Sequence, residues 1–156
     1  MIRNSTDNDV EKITKLWLDA SVQAHSFVPK EYWQQMQYSV KMHYLPYAKT
    51  FVYEDKHKIK GFISVVDEKH IGALFVAPQF QGQKIGEKLL RTAQRRYPLL
   101  SLSVFAKNTK AVEFYQKHKF KIMGEQLEPS TKEQELHMCW SLECKSGFKK
   151  RFYGDS

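Results

Sequence analysis

A strand that runs into a proline, a glycine-containing loop and then a helix constrains this chain more than any other feature. The β-rich run 70–76 ends before Pro78, because proline has no N–H to donate to a sheet. A polar loop with Gly82 and Gly86 follows, and leucines at helical spacing predict a helix from about Gly86 to Tyr97. Unpaired N–H groups at the start of such a helix favour an anion. The pattern equally fits an ordinary strand-to-helix turn, and it matches neither a Walker loop nor a dinucleotide fingerprint.

Apolar spacing predicts two helices before this region. The first opens at the capping box Thr6-x-x-Asp9 and continues to Ala24. The second begins at Pro29 and ends at Pro46, since proline suits a first helical turn and not a helix interior. The residues expected to form its buried stripe are Tyr32, Trp33, Met36 and Val40.

The remaining elements complete an alternating pattern. Strands are predicted over 2–5, 50–54, 59–66, 70–76, 99–104, 120–125 and about 135–142, with a further helix over 108–118. The resulting order is β-α-α-β-β-β-α-β-α-β-β. This order predicts an α/β (α+β) fold with a mixed central sheet of about seven strands and helices on both faces.

Composition limits the class of protein. The 156 residues fit one domain, which we place at 1–143, followed by a basic tail over 144–156 that is expected to be poorly ordered. The sequence shows neither a signal peptide nor an apolar stretch of about 18 residues. Cys139 and Cys144 lack metal-site spacing. These features predict a cytoplasmic protein with no metal and no membrane partner.

The chain carries a surplus of positive charge. Its formal net charge is +8, and Lys145, Lys149, Lys150 and Arg151 place part of that surplus in the tail. Such a surplus fits a solvated surface, a polyanionic cofactor, or binding to nucleic acid or a ribosome.

Two motifs make the sequence similar to a known family. The first is Val76-x-Pro78-x-x-Gln81-Gly82-Gln83-Lys84-Ile85-Gly86-x-x-Leu89-Leu90, and the second is Asn108-x-x-Ala111-x-x-Phe114-Tyr115-x-x-x-x-Phe120. They resemble the signatures of the GNAT superfamily of N-acetyltransferases, the first being usually written Gln/Arg-x-x-Gly-x-Gly/Ala. The element order over residues 1 to about 143 is also similar. Segments 17–33 and 72–78 look closest to small bacterial peptide- or protein-lysine acetyltransferases.

This resemblance implies a sheet that is splayed after its fourth strand and holds acetyl-CoA in the opening. Leu74, Phe75 and Val76 would contact the pantetheine arm, and a backbone N–H near Leu74 would polarise the thioester carbonyl. The pyrophosphate would lie on Gln81, Gly82, Gln83, Lys84, Ile85 and Gly86.

The second motif implies two further roles. Asn108 would cap its helix and could hydrogen-bond the pantetheine. Tyr115 would act as the general acid that protonates the leaving thiolate, because a phenol is protonated at neutral pH. Phe114 and Tyr115 could instead form a core aromatic pair.

Two lysines depart from the family pattern. Lys84 stands where the family prefers glycine, and a backbone φ above zero would cost about 1 kcal/mol or more there. Its ammonium could compensate by facing the pyrophosphate. Lys119 replaces the glycine usual before Phe120, which affects a turn more than a site.

The general base and the acceptor site are less defined. His70, which begins the strand lining the opening, is a candidate base, and it could also be a solvated strand-end residue. Other candidates are Glu68, Asp67, His25 and His137, and a water relay to a carboxylate is a further route. The residues expected to contact the acceptor are His25, Tyr32, Trp33 and His70.

The sequence therefore predicts direct transfer of an acetyl group to a primary amine in a ternary complex. The amine could belong to a protein or peptide, as a lysine or an N-terminus, or to a small molecule. Nothing in the sequence activates Cys139 for a ping-pong route. The alternatives are a coenzyme-A-binding sensor or partner that has lost catalysis and, less expected, a basic nucleic-acid- or ribosome-associated module. Either a monomer or a homodimer is consistent with the sequence.

Overall fold

The computed structural model describes residues 1–142, so the predicted boundary after residue 143 and the basic tail lie outside the described residues. Seven strands and four α-helices are present in the described part. The strands are β1 (Ile2–Asn4), β2 (Lys49–Asp55), β3 (Lys58–Val66), β4 (His70–Val76), β5 (Leu99–Phe105), β6 (Lys121–Leu127) and β7 (Gln134–Ser141). The helices are α1 (Val10–Ala24), α2 (Lys30–Ser39), α3 (Ile85–Arg96) and α4 (Thr109–Lys117).

The predicted helix starts are confirmed by their hydrogen bonds. The backbone N–H of Thr6 donates to Asp9 Oδ2 at 2.7 Å, and a short 3₁₀ turn leads from this pair into α1. The backbone N–H of Ala111 donates to Asn108 Oδ1 at 3.3 Å, which caps α4. These side chains satisfy N–H groups that a helix start leaves unpaired.

The second predicted helix is shorter than expected. It ends at Ser39 and continues as a π-helical turn, Val40–Tyr44, before Pro46. Of the residues predicted to form its buried stripe only Trp33 is buried, and Met36 is 37% exposed. The reason is that Met36 and Val40 line a cavity, and Val40 packs only at the edge of the core.

The sheet opens in the middle. Its strand order is β1-β2-β3-β4-β5-β7-β6, and β4 runs parallel to β5. The register between these two strands consists of the pair His70 and Ser101, after which they diverge. The predicted splay after the fourth strand is thereby confirmed, and the opening between β4 and β5 widens toward their carboxyl ends.

A β-bulge lies in β4 beside this opening. Ser64 of β3 pairs with Ala73 and Val65 pairs with Ile71, so Gly72 is left without a partner on β3. The extra residue reverses the alternation of faces. Ile71 therefore packs with the core on one side of the sheet, and Ala73 packs with the core on the other side.

Helices cover both faces, as predicted. One core packs α3 and α4 against the sheet around Leu89, Leu90 and Met138, all of which are fully buried. The other core packs α1 and α2 against β2 to β4 around Trp17, Trp33 and Phe62. Each helix layer leaves one side of the opening accessible, which creates two cavities that meet inside the fold.

An ion pair joins β1 to the start of α1 and should make stability depend on pH. Arg3 donates two hydrogen bonds to Asp9, at 2.8 and 3.1 Å, and this contact lowers the pKa of Asp9 to about 2. A carboxyl with a lowered pKa stabilises the fold above its ordinary value near 3.8 and loses that effect as the pH falls toward 2.

We expect Asp9→Asn to lower the free energy of unfolding by about 2 kcal/mol at neutral pH. The difference from the parent protein should shrink below about pH 4, because the parent carboxyl is then protonated too. Urea unfolding at a series of pH values measures it. The control is Asp19→Asn, since Asp19 pairs with Lys15 on an exposed helix surface. An Asp9→Asn effect that is the same at neutral and acid pH would contradict this account.

Candidate active site

The first cavity lies where the predicted cofactor loop meets the sheet. It has a volume of about 570 Å³ and lies between β4, the start of α3 and α4. The predicted cofactor residues that line it are Leu74, Phe75, Val76, Gln81, Gly86, Asn108 and Tyr115. Lys107 and Lys110 also line it and add positive charge beside Asn108.

The loop before α3 has the geometry of an anion site. The first helical hydrogen bond runs from Lys88 N–H to the Lys84 carbonyl, so the preceding N–H groups of the first turn are not used within the helix. Gly82 adopts φ +84°, a conformation that glycine reaches without strain. Gln81 Nε2 donates to the Val76 carbonyl at 3.2 Å and to Gln23 Oε1 at 3.0 Å, which ties the loop to β4 and α1.

A smaller depression of about 260 Å³ continues this loop. Gly82, Lys84, Ile85 and Gly86 line it together with Phe114 and His118. Ile85 is buried, so its side chain belongs to the core and only its backbone faces the loop. Gln83 is exposed and does not line either of these two cavities.

A second cavity enters the opening from the side of α1 and α2. Its volume is about 390 Å³, and it is lined mainly by aromatic residues of the α1–α2 layer and by the diverging ends of β4 and β5. Five residues line both cavities: Leu74, Phe75, Asn108, Ala111 and Tyr115. The two cavities therefore meet at β4 and the inner face of α4.

Tyr115 lies at this junction within an aromatic cluster. Its ring centroid is 5.3 Å from that of Phe114 and 5.4 Å from that of Phe120. Burial raises the pKa of Tyr115, so its phenol stays protonated at neutral pH. The side chain therefore packs as a core aromatic and also faces both cavities, so the two interpretations of this residue are compatible.

His25 connects the α1–α2 layer to α4. Its Nε2 lies 3.4 Å from Asn108 Nδ2, and its ring packs 4.9 Å from Trp33 and 5.1 Å from Phe105 between centroids. Burial lowers the pKa of His25 to about 4, although the interaction with the Ser21 backbone acts to raise that pKa. His25 is therefore neutral near pH 7, and it and Trp33 line the second cavity.

Comparison with known proteins decides the family. A family model described as an acetyltransferase (GNAT) domain matches residues 5–131. The chain is a GNAT acetyltransferase. It is 33% identical over 142 residues to the peptidyl-lysine N-acetyltransferase YiaC of Escherichia coli, covering 91% of this chain and 97% of that protein. The predicted acetyl-CoA-dependent N-acetyltransferase is thereby confirmed.

Solved structures agree on the fold. The solution structure of apo-form YjaB from Escherichia coli has a TM-score of 0.77 at 26% identity, covering 90% of this chain and 96% of that one. A PaiA N-acetyltransferase from Thermoplasma acidophilum, solved in complex with coenzyme A, has a TM-score of 0.75 at 17% identity, covering 90% and 98%. Both share the GNAT fold with this chain.

The structure separates several predicted residues from the GNAT cavities. His70 does not line either of the two that meet at Tyr115, and its Nδ1 lies 3.1 Å from Ser101 Oγ where β4 and β5 still pair. Burial lowers the pKa of His70, aided by nearby His137 and opposed by Asp67. Asp67 and Glu68 line a different depression at the β3–β4 turn.

Two other candidates also lie apart from these cavities. The Nδ1 atom of His137 lies 3.1 Å from Ser103 Oγ on the exposed sheet surface. Tyr32 packs edge-on against Trp33, and burial raises the pKa of its phenol. β4 diverges from β5 beyond His70, which is why His70, at the near end of β4, is excluded from these cavities.

Glu135 and Tyr44, which were not predicted from the sequence, also line the second cavity of this GNAT domain. Glu135 pairs in register with Phe105 on β5, and its carboxylate is the acidic group among the residues that line this cavity. Alternation along β7 could have placed Glu135 on the same face as His137, but no local pattern marks that face as part of the site.

Within residues 1–142, no cluster of three or more His, Cys, Asp or Glu side chains is arranged to hold a metal ion. In the same residues no helix is long and apolar enough to cross a membrane.

Lys84 adopts the backbone conformation for which a cost was expected. Lys84 has φ 64° and Lys119 has φ 75°, both in the left-handed region that favours glycine. We expect Lys84→Gly and Lys119→Gly each to raise the free energy of unfolding by up to about 1 kcal/mol. Only Lys84→Gly should weaken acetyl-CoA binding, by about threefold, since only Lys84 lies on the loop.

Thermal unfolding and calorimetric titration test both variants side by side. Lys119→Gly is the control for relief of backbone strain without loss of charge at the loop. Unchanged affinity in Lys84→Gly at low salt would show that its ammonium does not face the pyrophosphate.

Proposed function

We propose that this protein transfers an acetyl group from acetyl-CoA to lysine side chains of polypeptides, directly and in a ternary complex. The observation that carries the proposal is the meeting of two cavities at Leu74, Asn108 and Tyr115. One cavity can hold the acetyl donor while the other admits the amine. The name of the YiaC relative, a peptidyl-lysine N-acetyltransferase, supports a lysine acceptor.

The first cavity fits coenzyme A by the chemistry of its walls. An ideal Cβ at Gly86 would lie 3.7 Å from both Phe114 and Val76, so a larger side chain there would extend toward the cavity. The backbone from Gln81 to Gly86 would hold the pyrophosphate, with Lys84, Lys107 and Lys110 supplying positive charge. Leu74, Phe75 and Val76 would pair with the pantetheine arm. When bound, acetyl-CoA supplies the acetyl group as a thioester.

The chain's own groups then divide the work. The backbone N–H near Leu74 donates to the oxygen that gains negative charge. Tyr115 donates its phenolic proton to the departing sulfur, which its raised pKa permits throughout the neutral range. Asn108 holds the start of α4 and so fixes the helix that carries Tyr115.

The acceptor side attracts and deprotonates the amine. Glu135 places a carboxylate on the wall of the second cavity, where it favours a positively charged lysine. His25 is a poor proton acceptor, because its pKa of about 4 reflects the cost of charging a buried imidazole. We therefore assign proton removal to water beside Glu135. We assign His70 no catalytic role, because it lies beside Ser101 at the closed end of the opening.

The deciding experiment compares three acceptors under the same conditions. These are a peptide with one internal lysine and a blocked N-terminus, the same peptide with arginine in place of lysine, and spermidine. We expect acetylation of the lysine peptide alone, detected by mass spectrometry. Preferential acetylation of spermidine would refute the polypeptide acceptor. Binding of acetyl-CoA without transfer to any acceptor would favour the sensor alternative. A cytoplasmic location stays a prediction, as does the choice between monomer and homodimer.

A further inference from the structure

Tyr44 lies on the wall of the acceptor cavity but belongs to neither sequence motif. It is the last residue of the π-helical turn Val40–Tyr44, which leads the chain from α2 back to the sheet. Turns of this kind are rare and are frequently found at functional sites. The Tyr44 hydroxyl oxygen is enclosed, and it has no hydrogen-bond partner of standard geometry among the described residues. Because an unpaired buried hydroxyl destabilises a fold, its position needs an explanation.

The hydroxyl lies against the bulge in β4. A Cβ atom added at Gly72 would overlap the hydroxyl and ring of Tyr44, so the ring occupies the place of the missing side chain. Gly72 is also the residue that pairs with nothing on β3. Burial raises the pKa of Tyr44, while its interaction with the Gly72 backbone acts to lower that pKa. The first effect is larger, so the phenol stays neutral. The tyrosine thus fills space at the one irregular point of the strand beside the opening.

The bulge determines where the next residues of β4 face. Because of it, Ile71 packs with the α3–α4 core and Ala73 with the α1–α2 core. Leu74 follows immediately and pairs with Ile63. Without this extra residue Leu74 would pair with Phe62 and would turn, with its backbone N–H, to the other side, since strand residues alternate. The orientation of this N–H therefore depends on the bulge that precedes Leu74.

We propose that the Tyr44 hydroxyl fixes the bulge at Gly72 and thereby positions the backbone N–H of Leu74 for acetyl transfer. This inference rests on the proposed function. Tyr44 acts through Leu74, which makes it a positioning residue and not a catalytic one. The missing side chain of Gly72 leaves room for the phenol of Tyr44, and the phenol in turn restricts the backbone at Gly72.

Steady-state kinetics of Tyr44→Phe test the role in catalysis. The variant keeps the ring and removes only the hydroxyl. We expect kcat to fall about tenfold, with KM for acetyl-CoA and for the lysine peptide unchanged within about twofold, because the affected contact strengthens in the transition state. The variant should remain folded, since it keeps the ring that packs beside Gly72. The control is Tyr47→Phe, whose ring is 77% exposed three residues away.

A second measurement does not depend on activity. Backbone amide chemical shifts of Tyr44→Phe should differ from the parent protein at residues 71–74, including Leu74, and those of Tyr47→Phe should not. Unchanged kcat, or a shift pattern that ends before Leu74, would overturn the inference. If the parent protein transfers no acetyl group, the proposed function fails, and the chemical shifts still decide whether Tyr44 controls Leu74.

Discussion

Tyr115→Phe is expected to lower kcat by about 100-fold to 1,000-fold while acetyl-CoA binds as tightly as before. Phenylalanine keeps the ring contacts with Phe114 and Phe120 and removes only the proton that the leaving thiolate requires. Initial rates with the lysine peptide give kcat, and calorimetric titration gives the affinity. Because burial raises the pKa of Tyr115, ionisation of this residue should not reduce the parent activity within the neutral range.

The control is Tyr97→Phe. Tyr97 is 7% exposed and belongs to the core outside the two cavities that meet at Tyr115, so it reports the general cost of removing a buried phenol. Equal effects of the two substitutions on kcat would mean that the Tyr115 hydroxyl has no special role. A large loss confined to Tyr115→Phe would identify it as the proton donor.

Gly86→Glu is expected to weaken acetyl-CoA binding by more than about 100-fold without loss of stability. The side chain would extend from the first turn of α3 over the anion site and place a negative charge against the pyrophosphate. An acidic residue in a first helical turn otherwise stabilises a helix, so the melting temperature should hold. Calorimetric titration measures the affinity directly.

A graded series separates bulk from charge at this position. Gly86→Ala should bind acetyl-CoA within about threefold of the parent protein, since a Cβ there makes only ordinary contacts at 3.7 Å. Gly86→Gln has the length of glutamate without its charge and should fall between the two. If Gly86→Glu binds acetyl-CoA normally, the phosphates do not lie on this loop.

Some features of the fold and of the candidate site could be predicted from the sequence, and others could not. The loop from Gln81 to Gly86, the helix with Asn108 and Tyr115, and the order of elements all follow from local patterns. Proline, glycine and capping residues act within a few positions of themselves, so their effects can be predicted from neighbouring residues. The family resemblance, in which glycine is preferred at position 84, pointed to the left-handed backbone that Lys84 adopts.

The acceptor side could not be predicted to the same extent. His70 stands only two residues before Gly72, yet the splay of β4 from β5 leaves it at the closed end of the opening. Glu135 reaches the second cavity from β7, far along the chain, because β7 pairs with β5. No local sequence pattern predicts where His70 or Glu135 lies relative to the cavity, because both positions depend on which strands lie side by side.

The sequence by itself determined the family, the element order and the glycine loop before α3, because these are properties of short segments and their succession. Only the tertiary structure decided which ionisable residues line the second cavity and how Tyr44 meets Gly72. Those contacts depend on strand divergence, on a single unpaired residue in β4 and on a π-helical turn, which place side chains from separate segments against one another.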